Sequence, residues 1–418
     1  MSTATTSSGS NSLPLHGIRV VALEQAVSAP FATRQLADMG ARVIKVERVP
    51  EGDFARYYDA EVRGMASHFV WVNRNKESIA LDFKAPAGRE VLDLLIASAD
   101  VVVQNLAPGV AEAMGLDAGR LVEQHPRLIA VDLSGYGAGG PYEVRRAYDL
   151  IVQAESGSIA TTGWADQPAK PGIAIADLTA GLYTYSSVLA ALFDRERTGR
   201  GRAIEVSLMD SIAELMGYSL YFTQFSGRRH VPNGISHPTL SPYESFDTAD
   251  GRKIVVAVQN DREWARLVTL VLRRSELVDD PRFATGTART EHRDEVRRIC
   301  AEVLGSLESD AALELLDGAG IACGRVNYPE EVLAHPQLAA RDRWRDVDSP
   351  VGPLRSLLPP PVSAGWELRM DRVPDVGENT ETILVELGLD RAAIDRLIAA
   401  GVVGEPSSDS QTRPETTV

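Results

Sequence analysis

The chain lacks the features that mark a secreted, metal-dependent or nucleotide-hydrolysing protein. Only two of its 418 residues are cysteines, Cys300 and Cys323. Without CxxC spacing they supply no disulfide framework, and a reducing cytoplasm is the expected location. Basic residues are outnumbered by acidic ones, 43 against 58, for a net charge of −15. That balance excludes a general nucleic-acid binder, whose affinity rests on neutralising phosphates. No uninterrupted apolar run reaches the roughly 18–20 residues that cross a bilayer, so no membrane partner is expected. Met1 to Ser12 is rich in Ser and Thr and has neither the basic nor the apolar region of a secretory signal. The seven histidines stand at 16, 68, 125, 230, 237, 292 and 335, with no ligand spacing for zinc, and no metal site is predicted. G-x-S-x-G and Walker motifs are absent as well, which removes the usual sequence support for serine-hydrolase and P-loop mechanisms.

What is present is globular: 44% hydrophobic and 24% charged residues, in a chain long enough for two or three domains. Residues 18–47 read as strand, loop, amphipathic helix, a stop at Gly40 and a second strand ending at Glu47. The rhythm returns with a helix over Gly88 to Ser98, a strand Val101 to Gln104, a helix before His125 and a strand Leu128 to Leu133. The alternation predicts an α/β fold with an open, mostly parallel Rossmann-like sheet. Its first loop, between Leu23 and Pro30, has no glycine, so the close approach to a pyrophosphate made by G-x-G-x-x-G is missing and a dinucleotide dehydrogenase is disfavoured. Residues 15–227 are expected to form the first part of a large domain. Residues 228–328 form a smaller α+β domain, 329–403 return to the large one, and 1–14 and 404–418 are disordered tails.

Asp177 is the most informative ionisable residue. It follows the strand-like Ile173-Ala174-Ile175-Ala176 and precedes a long helix expected from Leu178 to about Arg197. An aspartate at such a junction is most often an N-cap. The apolar residues before it and the small Ala180 and Gly181 after it also suit a desolvated carboxylate beside a ligand, acting as nucleophile or base. A second constellation gathers Arg48, Arg56, Lys76, Arg145 and Arg146 with Asn105, all placed at loops around the strands. Each alone reads as a solvated charge. Together, at the edge of an open sheet, they suggest a phosphate-bearing ligand.

These residues carry a likeness from about Leu15 to Arg372. In LADMGARVIKVERVPEGDFAR, NRNKESIALD, QNLAPGVAEAMGL, SGYGAGGPY, AYDLIVQAESG and ERTGRGRAIEVSLMD the chain resembles the class III coenzyme A transferases, the CaiB/BaiF family. The resemblance implies that Asp177 is the nucleophile, passing through an aspartyl anhydride and an aspartyl-CoA thioester. It implies that CoA, a substrate rather than a resident cofactor, contacts Arg48, Lys76, Asn105, Arg146 and Tyr148, with Arg56 beside them. The family's glycine-rich lid is replaced here by AVQNDREW, which makes Gln259 and Asn260 the lid candidates, and the family's arginine after Pro108 is replaced by Ala113. His237, near Tyr243 and Arg228 to His230, is placed where a second substrate carboxylate would sit. The substrates implied are an acyl-CoA and a short dicarboxylic acid such as succinate, itaconate, mesaconate, malate or citramalate, and the assembly implied is an interlocked homodimer. Two other readings stand beside it. An α-methylacyl-CoA racemase of the same fold needs a histidine where this chain has Tyr148, and phenols ordinarily keep their proton to about pH 10. A non-catalytic CoA-binding protein would have no use for Asp177.

Overall fold

The structure, a computed structural model, describes residues 13–404. Both expected tails fall almost wholly outside that range. The chain packs as two units. The first comprises the chain up to Ser158, Pro171–Tyr218 and the chain from Asp342 onward; the second comprises Ile159–Lys170 and Ser219–Arg341. These bounds differ from those expected at 227/228 and 328/329, and they place 159–170 in the second unit rather than with the large domain.

The first unit is built on β1 (Arg19–Leu23), β2 (Arg42–Glu47), β3 (Lys76–Leu81), β4 (Val101–Gln104), β5 (Ile129–Ser134) and β6 (Ala203–Ser207). Their order is β3-β2-β1-β4-β5-β6, all parallel. The short strand Val403–Gly404 adds antiparallel to β3, so Gly404, assigned to a tail by the sequence reading, belongs to the sheet. RVVAL and VVVQ are apolar without alternation because both faces are covered: every residue from Val20 to Leu23 and from Val101 to Gln104 is buried. One face carries α1 (Ser28–Asp38) and a long helix, Ile175–Thr198; the other carries α2 (Pro86–Ala97) and the C-terminal helices.

Between β5 and β6 lie α3 (Asp149–Glu155) and α4 (Ile175–Thr198). At 24 residues, with a mean hydropathy of 1.2 over an 18-residue stretch, α4 passes the length and composition test for a membrane span. Ala176, Ala180, Val188 and Leu192 nevertheless pack into one core with Leu36 and Ala37 of α1 and Val131 of β5, which makes it a core helix. Gly199 ends it in the left-handed region, φ +71°. The IAIA segment is not a strand: Ile173 lies in a bend, and the helix has begun by Ile175. Two helices follow β6, Leu208–Leu215 and Gly217–Ser226, and two more, Thr380–Glu386 and Arg391–Ala399, precede the last strand.

The second unit is α+β. Lys253–Ala257 is flanked antiparallel by Tyr243–Asp247 and Ala322–Arg325. Helices Asp261–Arg266, Arg293–Leu304 and Ser309–Gly318 close its core around Trp264 and Phe283.

Candidate active site

In an open parallel sheet the ligand crevice lies at the carboxyl ends of the strands, where the chain order reverses. Here that point falls between β1 and β4, which are neighbours. The turn after β1 and the residue after β4 are tied across it. The Gln25 amide donates to Asn105 Oδ1 and Asn105 Nδ2 donates to the Gln25 carbonyl, both at 2.9 Å. Arg48 follows β2, and Arg145, Arg146 and Tyr148 end the loop between β5 and α3. Because α4 leads into the parallel strand β6, it starts from this same edge, and its first turn brings Asp177 there. Ser28 at the start of α1 donates its hydroxyl to the Asp177 carbonyl at 2.9 Å.

Asp177 is the third residue of α4, not its cap. Ala174 holds the cap position and has no side chain with which to fill it. Asp149 does so instead, its Oδ1 accepting the Ala176 amide at 2.9 Å and the Asp177 amide at 3.3 Å, while Oδ2 accepts from Gln153. Among the described residues no hydrogen bond or ion pair reaches the Asp177 carboxyl. Burial pushes its pKa up to about 7, and the like charge of Asp149 adds to the rise. A desolvated carboxylate without partners is a strong nucleophile once ionised. The space expected beside Ala180 and Gly181 is filled by protein. A Cβ at Gly181 would stand 2.7 Å from the Ser28 carbonyl oxygen and 3.0 Å from Phe31, so these small residues serve the close approach of α1 to α4.

The basic constellation divides. Lys76 is not on a loop but opens β3, and is buried. Its ammonium donates to Glu24 at 2.6 Å, the Pro30 carbonyl at 2.9 Å and Asn73 at 3.0 Å, which uses its three protons. Burial brings its pKa down to about 8 despite Glu24. Arg56 is paired with both oxygens of buried Glu47, at 2.9 and 2.7 Å, and lies over the Phe69 ring. By contrast Arg48, Arg146 and Tyr148 are exposed, and the two arginines make no ion pair among the described residues. In the second unit, Asn260 caps Asp261–Arg266 by accepting the Glu263 amide at 3.0 Å, and the Gln259 amide donates to the Glu263 carboxylate. His237 stacks on Tyr243, ring centroids 5.2 Å apart.

Two site residues escaped the sequence reading. Asp149 was hidden because its capping contact spans 28 positions in the chain. Tyr58 was passed over as one of a pair of aromatics after Arg56. Its phenol has its pKa raised to about 12, first by burial and then by the charges of Asp53 and Asp177.

The fold thus sets a carboxyl of raised pKa at the switch point of the sheet, and similarity to known proteins shows the family. Residues 15–380 match the model of CoA-transferase family III, and the chain belongs to this family: it is a CoA-transferase. It is 36% identical over 414 residues to an acyl-CoA transferase of Fusarium pseudograminearum, covering 95% of this chain and 90% of that one. It is 34% identical over 403 residues to the human succinyl-CoA:glutarate CoA-transferase, covering 94% and 91%. The crystal structure of a CaiB/BaiF family protein from Brucella suis superposes with a TM-score of 0.79 at 35% identity, covering 90% of this chain and all of that one.

Proposed function

We propose that the enzyme moves CoA from a short diacyl donor such as succinyl-CoA to a second dicarboxylate, with Asp177 as the covalent carrier. The carrying observation is the half-buried Asp177 carboxyl, which no described side chain pairs, with its raised pKa. Its oxygen attacks the thioester carbonyl, forming an aspartyl acyl anhydride and expelling CoA thiolate. The thiolate attacks the Asp177 carbonyl, giving the aspartyl-CoA thioester and releasing the donor acid. The acceptor carboxylate attacks that thioester, forming a second anhydride and freeing the thiolate, which then attacks the acceptor acyl carbon. The new acyl-CoA leaves and Asp177 is a carboxylate again. Arg48 and Arg146 serve the CoA phosphates, as exposed guanidinium groups suit them, Tyr148 lines the same mouth, and Asn105 holds the turn on which CoA lies. Lys76 and Arg56 contribute from behind, through Glu24 and Glu47. The dicarboxylate class is supported by the name of the human relative.

Exposed Leu182, Tyr183 and Phe193 on α4, with Leu215 and Tyr218 following in the first unit, support burial against a second copy in a homodimer. The two free cysteines, Cys300 buried and Cys323 half-buried, suit a cytoplasmic enzyme.

The test is mass spectrometry after mixing the protein with succinyl-CoA and hydroxylamine, following the peptide that spans Pro171 to Tyr185. The expected product is a hydroxamate at Asp177. In Asp177→Ala that adduct is absent and transfer falls by about 10⁴ or more, the scale on which nucleophile removal acts. A folded Asp177→Ala protein that transfers CoA at the original rate sinks the reading.

A further inference from the structure

Behind the turn after β1 lies a cluster of buried charges that the covalent chemistry does not use. Lys45 of β2, Glu24 and Glu47 have no exposed side-chain surface, and Asp53 is equally enclosed. Asp53 is the hub. Its Oδ2 accepts from Lys45 at 2.8 Å, and its Oδ1 accepts the amides of Ala26 at 3.1 Å and Ala55 at 2.9 Å. Ala26 is the strained member of the turn: its φ is +63°, in the left-handed region where a Cβ is unfavourable and from which an unrestrained alanine relaxes. The turn sits between Gln25, clamped by Asn105, and Ser28, whose hydroxyl holds the Asp177 carbonyl. The Ala55 contact starts the helical turn Phe54–Tyr57 that leads to Tyr58.

We propose that Asp53 is a positioning residue for CoA transfer: anchored by Lys45, it holds the left-handed Ala26 turn at the switch point and thereby sets both the floor of the CoA crevice and the first turn of the helix that carries Asp177. Lys45 suits the anchoring part. Burial works against its ammonium, but Asp53, Glu24 and Glu47 outweigh burial and keep it charged. The inference rests on the proposed use of Asp177 and CoA.

The experiment compares the full-length protein with Asp53→Ala, which loses every contact of the hub, and Asp53→Asn, which keeps an oxygen for Ala26 and Ala55 and loses the charge facing Lys45. Each is measured for thermal midpoint, for the dissociation constant of free CoA by calorimetry, and for the single-turnover rate of the hydroxylamine-trapped adduct at Asp177. Asp53→Ala is expected to weaken CoA binding and slow adduct formation by about tenfold or more each, the scale of a lost charge-assisted hydrogen bond. Asp53→Asn is expected to recover only part of that loss, leaving both about three- to fivefold below the parent, although its thermal midpoint stays low. A purely structural role would lower the midpoint in both variants and leave binding and adduct rate per folded molecule within twofold of the parent, which overturns the inference. If Asp53→Ala does not fold, Asp53→Asn decides alone: unchanged CoA affinity and adduct rate overturn the proposal, and a modest slowing of both upholds it. A parent protein that neither binds CoA nor forms the adduct overturns the reading beneath it, a result distinct from indifference to residue 53.

Discussion

Two carboxylates meet at the first turn of α4, and their division of labour sets the pH response of the site. Asp149 accepts the amides of Ala176 and Asp177 and so caps the helix with a side-chain oxygen. Its charge helps burial to hold the Asp177 proton to about pH 7. On the proposed role of Asp177, in which only the carboxylate attacks, the single-turnover rate should rise with pH and level off above that value. Asp149→Asn keeps an oxygen for the cap but removes the charge. The pH–rate midpoint of adduct formation is then expected to fall below about 7, with helix stability nearly unchanged. Asp149→Ala removes the cap too, and should cost about 1 kcal/mol in denaturant unfolding. A midpoint that does not move in Asp149→Asn contradicts the electrostatic coupling. None of this was legible in the sequence. Asp177 itself stood out by its junction and by family likeness, whereas its partner is 28 residues away and only the fold joins them.

At the scale of elements, the sequence conveyed the sheet and the α+β character of the second unit because their signals are local. Adjacent valines marked β1 and β4, and helical spacing with a glycine stop marked α1. The start of α4 was misread because IAIA alternates like a strand, while what decides its conformation is tertiary: Asp149 supplies the missing cap and α1 packs along the other side. Gly181 was misread for the same reason. It looked like space for a ligand and is instead the contact point of two helices. Gly181→Ala places a methyl 2.7 Å from a backbone oxygen of α1, which neither helix can yield without moving. The expected cost is about 1–3 kcal/mol of stability, as in other overpacked cores, read from the urea midpoint. Activity should fall alongside it, since the shift displaces Ser28 and the Asp177 carbonyl together. An unchanged midpoint would mean that the two helices are not in the contact described.

Over the whole molecule, the buried charges are concentrated in the first unit, and that concentration predicts where acid acts. Lys76 and Arg56 read as surface cations in the sequence because nothing local showed that Glu24 and Glu47 were enclosed with them. Glu47 is buried against Arg56, which, with Lys45, outweighs burial and lowers its pKa from 4.5 to about 2. A depressed carboxyl contributes stability that is complete above pH 4.5 and is lost as the pH falls towards 2, about 3 kcal/mol in all. Asp177 acts in the opposite sense. Its raised pKa means that the folded chain binds the proton more tightly, so its ionisation costs stability as the pH rises from about 4 to about 7. The two opposed slopes cancel near pH 4, so the first unit should be most stable at about pH 4 and lose stability towards pH 2 and towards pH 7. Glu47→Gln should weaken it by roughly 3–5 kcal/mol at pH 7, because Arg56 is left buried without a counter-charge, and should flatten the acid limb. Hydrogen exchange resolved by peptide checks this. Peptides covering β1 to β3 are expected to open on acidification in the parent, and already at neutral pH in Glu47→Gln. Those covering Lys253–Ala257, whose core is closed by Trp264 and Phe283 and contains none of these charges, should exchange alike in both proteins. Equal opening of both regions in the variant would show that the acid-sensitive charges do not act through the first unit.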